Sequence, residues 1–451
     1  MGSESTSVTS TLIGIAHECL EVPFPDRVLT VAKQCILDWF GCALAGSREP
    51  LSHILRAEAA TESAAPRASF IGFDMRGSPR WAALINGAAG HALDYDDVNE
   101  AMSGHPTAAI LPAILALAES EGSSGRAVLQ AFVAGYELAA RIGLLIGPGH
   151  YAQGFHATGT VGAMGAAFGC ATLMGLDPNA CARALGIAAS QAAGLKSQFG
   201  TMCKPFHAGK ASENGLLAAL LARRGFESRT DILDCDQGFS RTLSPDFHPD
   251  IARQRPAQGF HILDNLFKYN AACYGTHGAI EASREIASAY RPDPTQIKHI
   301  EVRVEQAADR MCNIARPKSG LEGKFSLRFN TALAISGGDT ASLESYTDAS
   351  VTKSSLVALQ ERIDVIIMPA DWPSFESEIK VEMLNGETYK ASYNASRPAT
   401  DLVLQENRLR QKYLGLAIPV LGSDRAENLA RKIDELNGGN SINDMMRLAT
   451  I

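Results

Sequence analysis

The sequence predicts a mainly α protein: a large all-helical domain of discontinuous sequence and a smaller α+β domain. Three observations lead there. From the N-terminus to about residue 266, apolar residues recur at helical spacing in one segment after another. From Phe267 to Arg397 the pattern becomes alternating, with Asn385-Gly386 between two alternating runs. After Pro398 helical spacing returns, so the last segments rejoin the first. The expected division is 1–266 with 398–451, and 267–397 as an insertion.

Taken in order, Leu12 to Leu20, Asp26 to Ala45, Leu51 to Ala60 and Ser78 to Leu93 carry helical spacing. Ser78-Pro79 supplies a capping hydroxyl and a proline at the first helical position. Gly125 to Leu145, Asp177 to Ala193 and Ala208 to Arg224 follow, the last stopped by Gly225. Gly159, Gly162 and Gly165 recur at helical spacing with no strand before them, which predicts close helix packing and not a dinucleotide site. In the inserted part, Ile297 to Val304 reads as a strand, Val365 to Met368 as a short apolar run, and Ser377 to Leu384 with Glu387 to Tyr393 as a hairpin. Thr276 to Tyr290 and Asn330 to Ala334 read as helices between them. Asn407 to Gly415, Asp424 to Leu436 and Ile442 to Leu448 are the returning helices.

Composition narrows the class. A length of 451 residues suggests two domains, and 46% apolar residues give ample material for their cores. A formal charge of −8 gives no electrostatic case for nucleic acid or an anionic membrane. Nine cysteines show no Cys-x-x-Cys pair and no spacing of a zinc or iron–sulfur site, so no metal is expected, and buried thiols point to a reducing cytoplasm. No secretory signal is expected at the N-terminus. Met1-Gly2 with Thr6 fits only a loose myristoylation pattern without a basic patch. Ala157 to Leu176 is a charge-free run long enough to span a bilayer, but its Gly, Ala and Thr content reads as a buried core helix. Abundant Ala and Gly with few aromatics suggest helical faces buried by a second copy.

The stretch Asn86 to Ala116 concentrates the chemistry. Asp94, Asp96 and Asp97 put three acids into four positions, and His105-Pro106 follows within a few residues. Such acids repel one another and are costly to bury without partners. Helix capping is the bland account of Asp96 or Asp97, but the apolar housing and the imidazole favour a functional cluster. Further candidates sit at helix starts: His156 before the Gly-rich helix, Lys204 and His207 before Ala208-Gly209, then Lys268 and His277, and Lys324-Phe325-Ser326. A lone histidine or lysine is usually structural or solvated. Lys204 beside a helix N-terminus, where a cation loses dipole stabilisation, points to an anionic ligand. Basic groups with Asp and His suit proton removal next to a carboxylate and retention of the resulting anion. No Gly-x-Ser-x-Gly elbow and no His-x-x-x-His pair is present.

These motifs, in this order, resemble the MmgE/PrpD family of 2-methylcitrate dehydratase, cis-aconitate decarboxylase and iminodisuccinate epimerase. The carriers are His91-x-x-Asp94-Tyr95-Asp96-Asp97 with His105-Pro106, Gly154-Phe155-His156-x-Thr158-Gly159, Lys204-Pro205-Phe206-His207-Ala208-Gly209, and Lys268 with Cys273 and His277. The resemblance covers essentially the whole chain. It implies a large helical domain with a smaller α+β lid, an active site between them, a homodimer, and neither organic cofactor nor metal. It implies that Asp94, His105, Lys204 and His277 are catalytic and that His156, His207 and Lys268 bind substrate. His105 is then the acid–base residue oriented by Asp94, and Lys204 and His156 hold carboxylates. The implied activity is that of a lyase or isomerase on a di- or tricarboxylate, by proton removal or decarboxylation alpha to a carboxylate. Three positions depart from the decarboxylase-type pattern: Val98 replaces a threonine, Asn270 a tyrosine, and Phe329 a tyrosine. These lost hydroxyls argue against a standard cis-aconitate decarboxylase. A non-catalytic binding or scaffold protein on the same fold is the alternative, and the joint presence of Asp94, His105, Lys204 and His277 argues against it.

Overall fold

The structure, a computed structural model, describes residues 7–18, 20, 23–439 and 441–451. The Met1-Gly2…Thr6 pattern and Cys19 lie outside the described residues. The chain forms two compact units, 7–267 with 400–451 and 268–399.

In the first unit, α1 (Val8–Glu18), α2 (Asp26–Gly46), α3 (Pro50–Ala59) and α4 (Pro79–His91) come first. A two-stranded ribbon, Ala68–Ser69 with Arg76–Gly77, separates α3 from α4. Ser78 caps α4 by accepting the N–H of Trp81, and Pro79 takes the first helical position, where no donor is needed. Then follow α5 (Pro106–Glu121), α6 (Gly125–Ala152), α7 (Ala157–Leu173), α8 (Pro178–Ala189) and α9 (Cys203–Arg223). Several bounds differ from the sequence expectation, two of them beside prolines. Helical hydrogen bonding in α6 resumes beyond Leu145 across a break at Gly147, φ +57°, next to Pro148. The ninth helix begins at Cys203 instead of Ala208, because Pro205 is tolerated in a first turn; Lys204 therefore lies within the helix.

The helix α7 is buried almost throughout and packs against α5, α6, α8 and α9. Its glycines make that possible. A Cβ on Gly162 would lie 2.5 Å from the Ala109 Cβ, and one on Gly165 would lie 2.8 Å from Ile110 Cδ1. The charge-free run is thus a packed helix, and its glycines serve contact with neighbours. Helices α2 and α6 are long and apolar enough to cross a membrane, and each is mostly buried inside the protein.

The returning helix Leu402–Leu421 is longer than the expected Asn407 to Gly415, because Asp401 caps it through the N–H groups of Val403 and Leu404. It packs along α2, with Ser423–Asp434 against both. Gly41 allows the approach: a Cβ there would lie 3.2 Å from the Tyr413 Cα.

The second unit holds a four-stranded sheet in the order β4-β3-β5-β6, numbered after the two short strands of the ribbon. Its strands are β3 (Ile297–Val304), β4 (Ile363–Ile367), β5 (Glu376–Met383) and β6 (Thr388–Asn394). The β3–β4 pair is parallel and the other two are antiparallel. Ile300, Val302, Val304, Ile379, Val381 and Met383 fill one face. On the other face Glu301 meets Lys380 at 2.8 Å and Arg303 at 2.9 Å, and Arg303 meets Glu378 at 2.7 Å. The hairpin closes with the Gly386 N–H donating to the Met383 carbonyl, and Gly386 takes φ +91° while Asn385 keeps a negative φ. That is a turn followed by a left-handed glycine, not the two-residue turn with both centres left-handed. The helices His277–Tyr290 and Leu327–Ile335 pack together; the first covers β5 and β6, and the second is capped by Ser326.

Close packing at α7 has a measurable consequence. Gly162→Val forces apart α5 and α7 and should destabilise the protein by about 1–3 kcal/mol, the usual cost of overpacking. Gly415→Ala, in the returning helix with open space around it, should stabilise by about 0.5–1 kcal/mol. Thermal melts of the two variants beside the wild type check both signs.

Candidate active site

The loop between α4 and α5 brings the acids and histidines together. Its ends are fixed by helix starts and stops, and its middle by hydrogen bonds. Asn99 and Gly104 exchange backbone hydrogen bonds, Val98 pairs with Leu266, and the Met102 N–H donates to the Asn99 side chain. Asp94 turns the chain at φ +51°, a left-handed conformation that aspartate tolerates better than most residues.

His105 occupies the N-cap position of α5, yet its side chain makes no capping bond there. Its N–H donates to the Thr158 hydroxyl at 3.1 Å, tying it to the start of α7. Its imidazole lies between two carboxylates, with Nδ1 3.2 Å from Asp96 and Nε2 3.6 Å from Asp94. Asp96 is therefore the nearer carboxylate, where the sequence pattern pointed to Asp94. Asp94 Oδ1 also accepts an ion pair from Lys204 Nζ at 2.8 Å. The Lys204 charge, expected to await a substrate anion, is met first by Asp94. An arriving carboxylate must share or displace that partner.

Asp96 is fully buried and serves two imidazoles. His91 Nδ1 lies 2.8 and 3.0 Å from its two oxygens. Burial alone would raise the Asp96 pKa, but His91 and His105 outweigh it and hold the carboxyl well below its usual range. Burial pulls His91 down to about 4 against the attraction of Asp96. The pair is thus a neutral imidazole donating Nδ1–H to an ionised carboxylate.

His156 caps the other side. It is buried, its pKa is pushed far down by burial and then by its His91, Lys204 and His105 neighbours, and it is neutral. Its Nδ1 is 3.1 Å from the Nδ1 of His207, also lowered by burial. Two neutral rings can share that contact only in complementary tautomers, one donating and one accepting. Phe199 meets both groups: its ring is edge-on to His156 at 5.0 Å, and Lys204 Nζ lies 5.3 Å from its centroid.

The first unit therefore gathers Asp94, His105, His156, Lys204 and His207. Lys268 and His277 belong to the second unit, where both are buried and His277 Nε2 contacts the Ala272 carbonyl at 3.3 Å. His91, Asp96, Thr158 and Phe199 were not chosen as site residues from sequence. The first three lie inside quoted motifs, but spacing does not say which member of an acid pair faces which imidazole. Phe199 carries no local signal at all. Two departures from the decarboxylase pattern are occupied by packing. The Asn270 amide donates to Glu281 and its carbonyl accepts from Thr340, while Phe329 is buried edge-on to Tyr346.

By donor type, His91, Asp94, Asp96 and His105 are a possible cation cluster, with ligand atoms within 4.8 Å of one another. Lys204 already holds Asp94, and His91 and Asp96 hold each other, so a cation would have to displace both contacts. Prolonged EDTA treatment should therefore leave activity intact; activity lost with EDTA and regained with one divalent ion contradicts this.

Asp97 provides a separate test. It is buried and pushed up to about 7 by burial, partly offset by the Thr107 hydroxyl that donates to it at 2.5 Å. From about pH 4 upward the unfolded chain ionises this acid while the folded one does not. Its contribution is thus fully present below about pH 4 and lost as pH approaches about 7. Asp97→Asn keeps an acceptor for Thr107 and removes the ionisation. Its melting temperature relative to wild type should rise steadily across that interval; the slope from Glu137, a second buried acid pushed up to about 7, is common to both proteins and cancels from the difference.

The MmgE/PrpD N-terminal domain matches residues 15–252 and the MmgE/PrpD C-terminal domain matches residues 270–437. Cis-aconitate decarboxylase of Homo sapiens is 28% identical, with 95% of this chain and 92% of that protein aligned. Cis-aconitate decarboxylase of Aspergillus terreus is 31% identical over 73% of this chain and 72% of its own. A cis-aconitate decarboxylase-like protein, oryM, of Aspergillus oryzae is 27% identical over 98% and 97%. With both family domains matched in order over most of its length, the chain is an enzyme of the MmgE/PrpD family.

Proposed function

We propose that this enzyme is a cofactor-independent lyase that removes CO2 from an unsaturated di- or tricarboxylate, with His105 delivering the proton. The observation that carries the reading is the His105 imidazole. It stands at a helix start without capping it, between Asp96 on one nitrogen and Asp94 with Lys204 on the other. In the first step the bond from carbon to the departing carboxylate breaks. Its electron pair forms a new double bond with the neighbouring carbon, and the existing double bond shifts. The far carbon becomes a carbanion conjugated with a retained carboxylate. His105 protonates that carbon and recovers its proton from solvent. Asp96, 3.2 Å from Nδ1, orients the imidazole, and Lys204 offsets the charge of the retained carboxylate. The names of the relatives support CO2 loss. Proton removal alpha to a carboxylate would pass through the same kind of anion.

Turnover of cis-aconitate and related polycarboxylates in D2O should release CO2 and place one deuterium on the protonated carbon. Deuterium exchange without CO2 release would replace the reading with dehydration or epimerisation. His105→Gln should lower kcat by roughly 10²–10⁴-fold, the range for a lost acid–base group, with KM little changed. Lys204→Ala should act chiefly on KM, because it removes a carboxylate partner and leaves the Asp94 charge exposed to the substrate. Wild-type exchange in His105→Gln with a lowered melting temperature would make His105 structural and overturn the mechanism.

A further inference from the structure

We propose that Lys412, on the returning helix, is a positioning residue: its ammonium holds the Tyr95 carbonyl and thereby fixes Asp96 beside His105. The inference rests on the reading of His105 as the proton carrier. Lys412 is 5% exposed and Asp38, on α2, is 1% exposed. Lys412 Nζ lies 2.6 Å from Asp38 Oδ1, donates to the Tyr95 carbonyl at 2.7 Å, and stands 3.9 Å from the centroid of the Tyr95 ring. One buried cation thus joins three segments remote in sequence: α2, the loop between α4 and α5, and the C-terminal return.

Stability alone is a poor account of this pair, because a buried ion pair is rarely more stable than apolar side chains of similar volume. What the ammonium does that apolar groups do not is orient a peptide. The Tyr95 carbonyl and the Asp96 N–H belong to one rigid plane, so holding the oxygen fixes the rotation from which Asp96 departs. The loop needs such a hold. Asp94, one residue before Tyr95, sits in the left-handed region, and Asp96 must reach His91 at 2.8 Å and His105 at 3.2 Å at once. Small displacements of a group that orients an acid–base residue are costly to rate.

Two double variants separate positioning from stability. Both remove the ion pair. Asp38→Asn with Lys412→Gln keeps a side-chain N–H donor toward the Tyr95 carbonyl, on a side chain one atom shorter than lysine; Asp38→Leu with Lys412→Met keeps none. Positioning predicts that the Leu/Met variant loses ~10–100-fold in kcat with KM little changed, and that deuterium incorporation falls in parallel. The Asn/Gln variant should keep kcat within about threefold of wild type. Equal kcat per folded site in the two double variants overturns the proposal. Should the Leu/Met variant not fold, Lys412→Gln and Lys412→Met are compared in the same way, with the same overturning result. His105→Gln is run alongside. If it retains wild-type exchange, the mechanism has failed. If it loses exchange while the Leu/Met variant keeps it, only the role of Lys412 has failed.

Discussion

The first unit is organised around burying carboxylates in an apolar helical core. Asp38, Asp96 and Asp97 are essentially out of contact with solvent, and Asp94 follows close by. An isolated buried carboxylate is too costly to remain ionised without a partner. Each acid has a different answer. Asp38 pairs with Lys412, Asp96 receives His91 and His105, and Asp94 takes Lys204. Asp97, left with a hydroxyl, is pushed towards its neutral form. Asp94, Asp96 and Asp97 thus have three different environments within four positions of one loop, with Asp38 on α2, which is how that loop supplies both a fixed negative charge and a neutral acid.

Such a cluster needs scaffolding that brings remote backbones close. Small residues provide it. Gly162 and Gly165 let α5 and α6 approach α7, and Gly41 lets the returning helix lie against α2. The helix starts that result deliver His105, His156 and Lys204 from α5, α7 and α9 to one place. At each start the backbone is already constrained, so little entropy remains to be lost when a side chain is oriented. The arrangement favours a site whose charges are set before substrate arrives, and preorganised charge is the larger part of what such a site contributes to rate.

The chemistry follows from the same electrostatics. Neutral His91 and His156 crowd around a single imidazole that faces carboxylates. Loss of CO2 and removal of an alpha proton both generate an anion conjugated with a carboxylate. A site that holds that carboxylate and carries one mobile proton therefore serves either. Substrate choice then depends on what surrounds the reacting carbon, and Phe199 supplies an aromatic wall against Lys204 and His156.

Much of this was legible in the chain. The 3.6-residue pattern in the first part, the alternation from Ile297, and Asn385-Gly386 between two strands gave the fold class, because burying one face dictates the period of apolar residues. The motifs around Asp94, His105, His156, Lys204 and His207 pointed to a polycarboxylate site, because acids and bases in apolar, Gly-rich context need partners. Tertiary structure alone decided which partners. It gave His105 to Asp96 more closely than to Asp94, closed Lys204 onto Asp94, and used Asn270 and Phe329 for packing. Nothing local marks Phe199, or joins Asp38 to Tyr95 and Lys412 across hundreds of residues. Periodicity records how a segment meets its own neighbours, whereas the pairing of buried charges is settled only when distant segments exclude water from the same space.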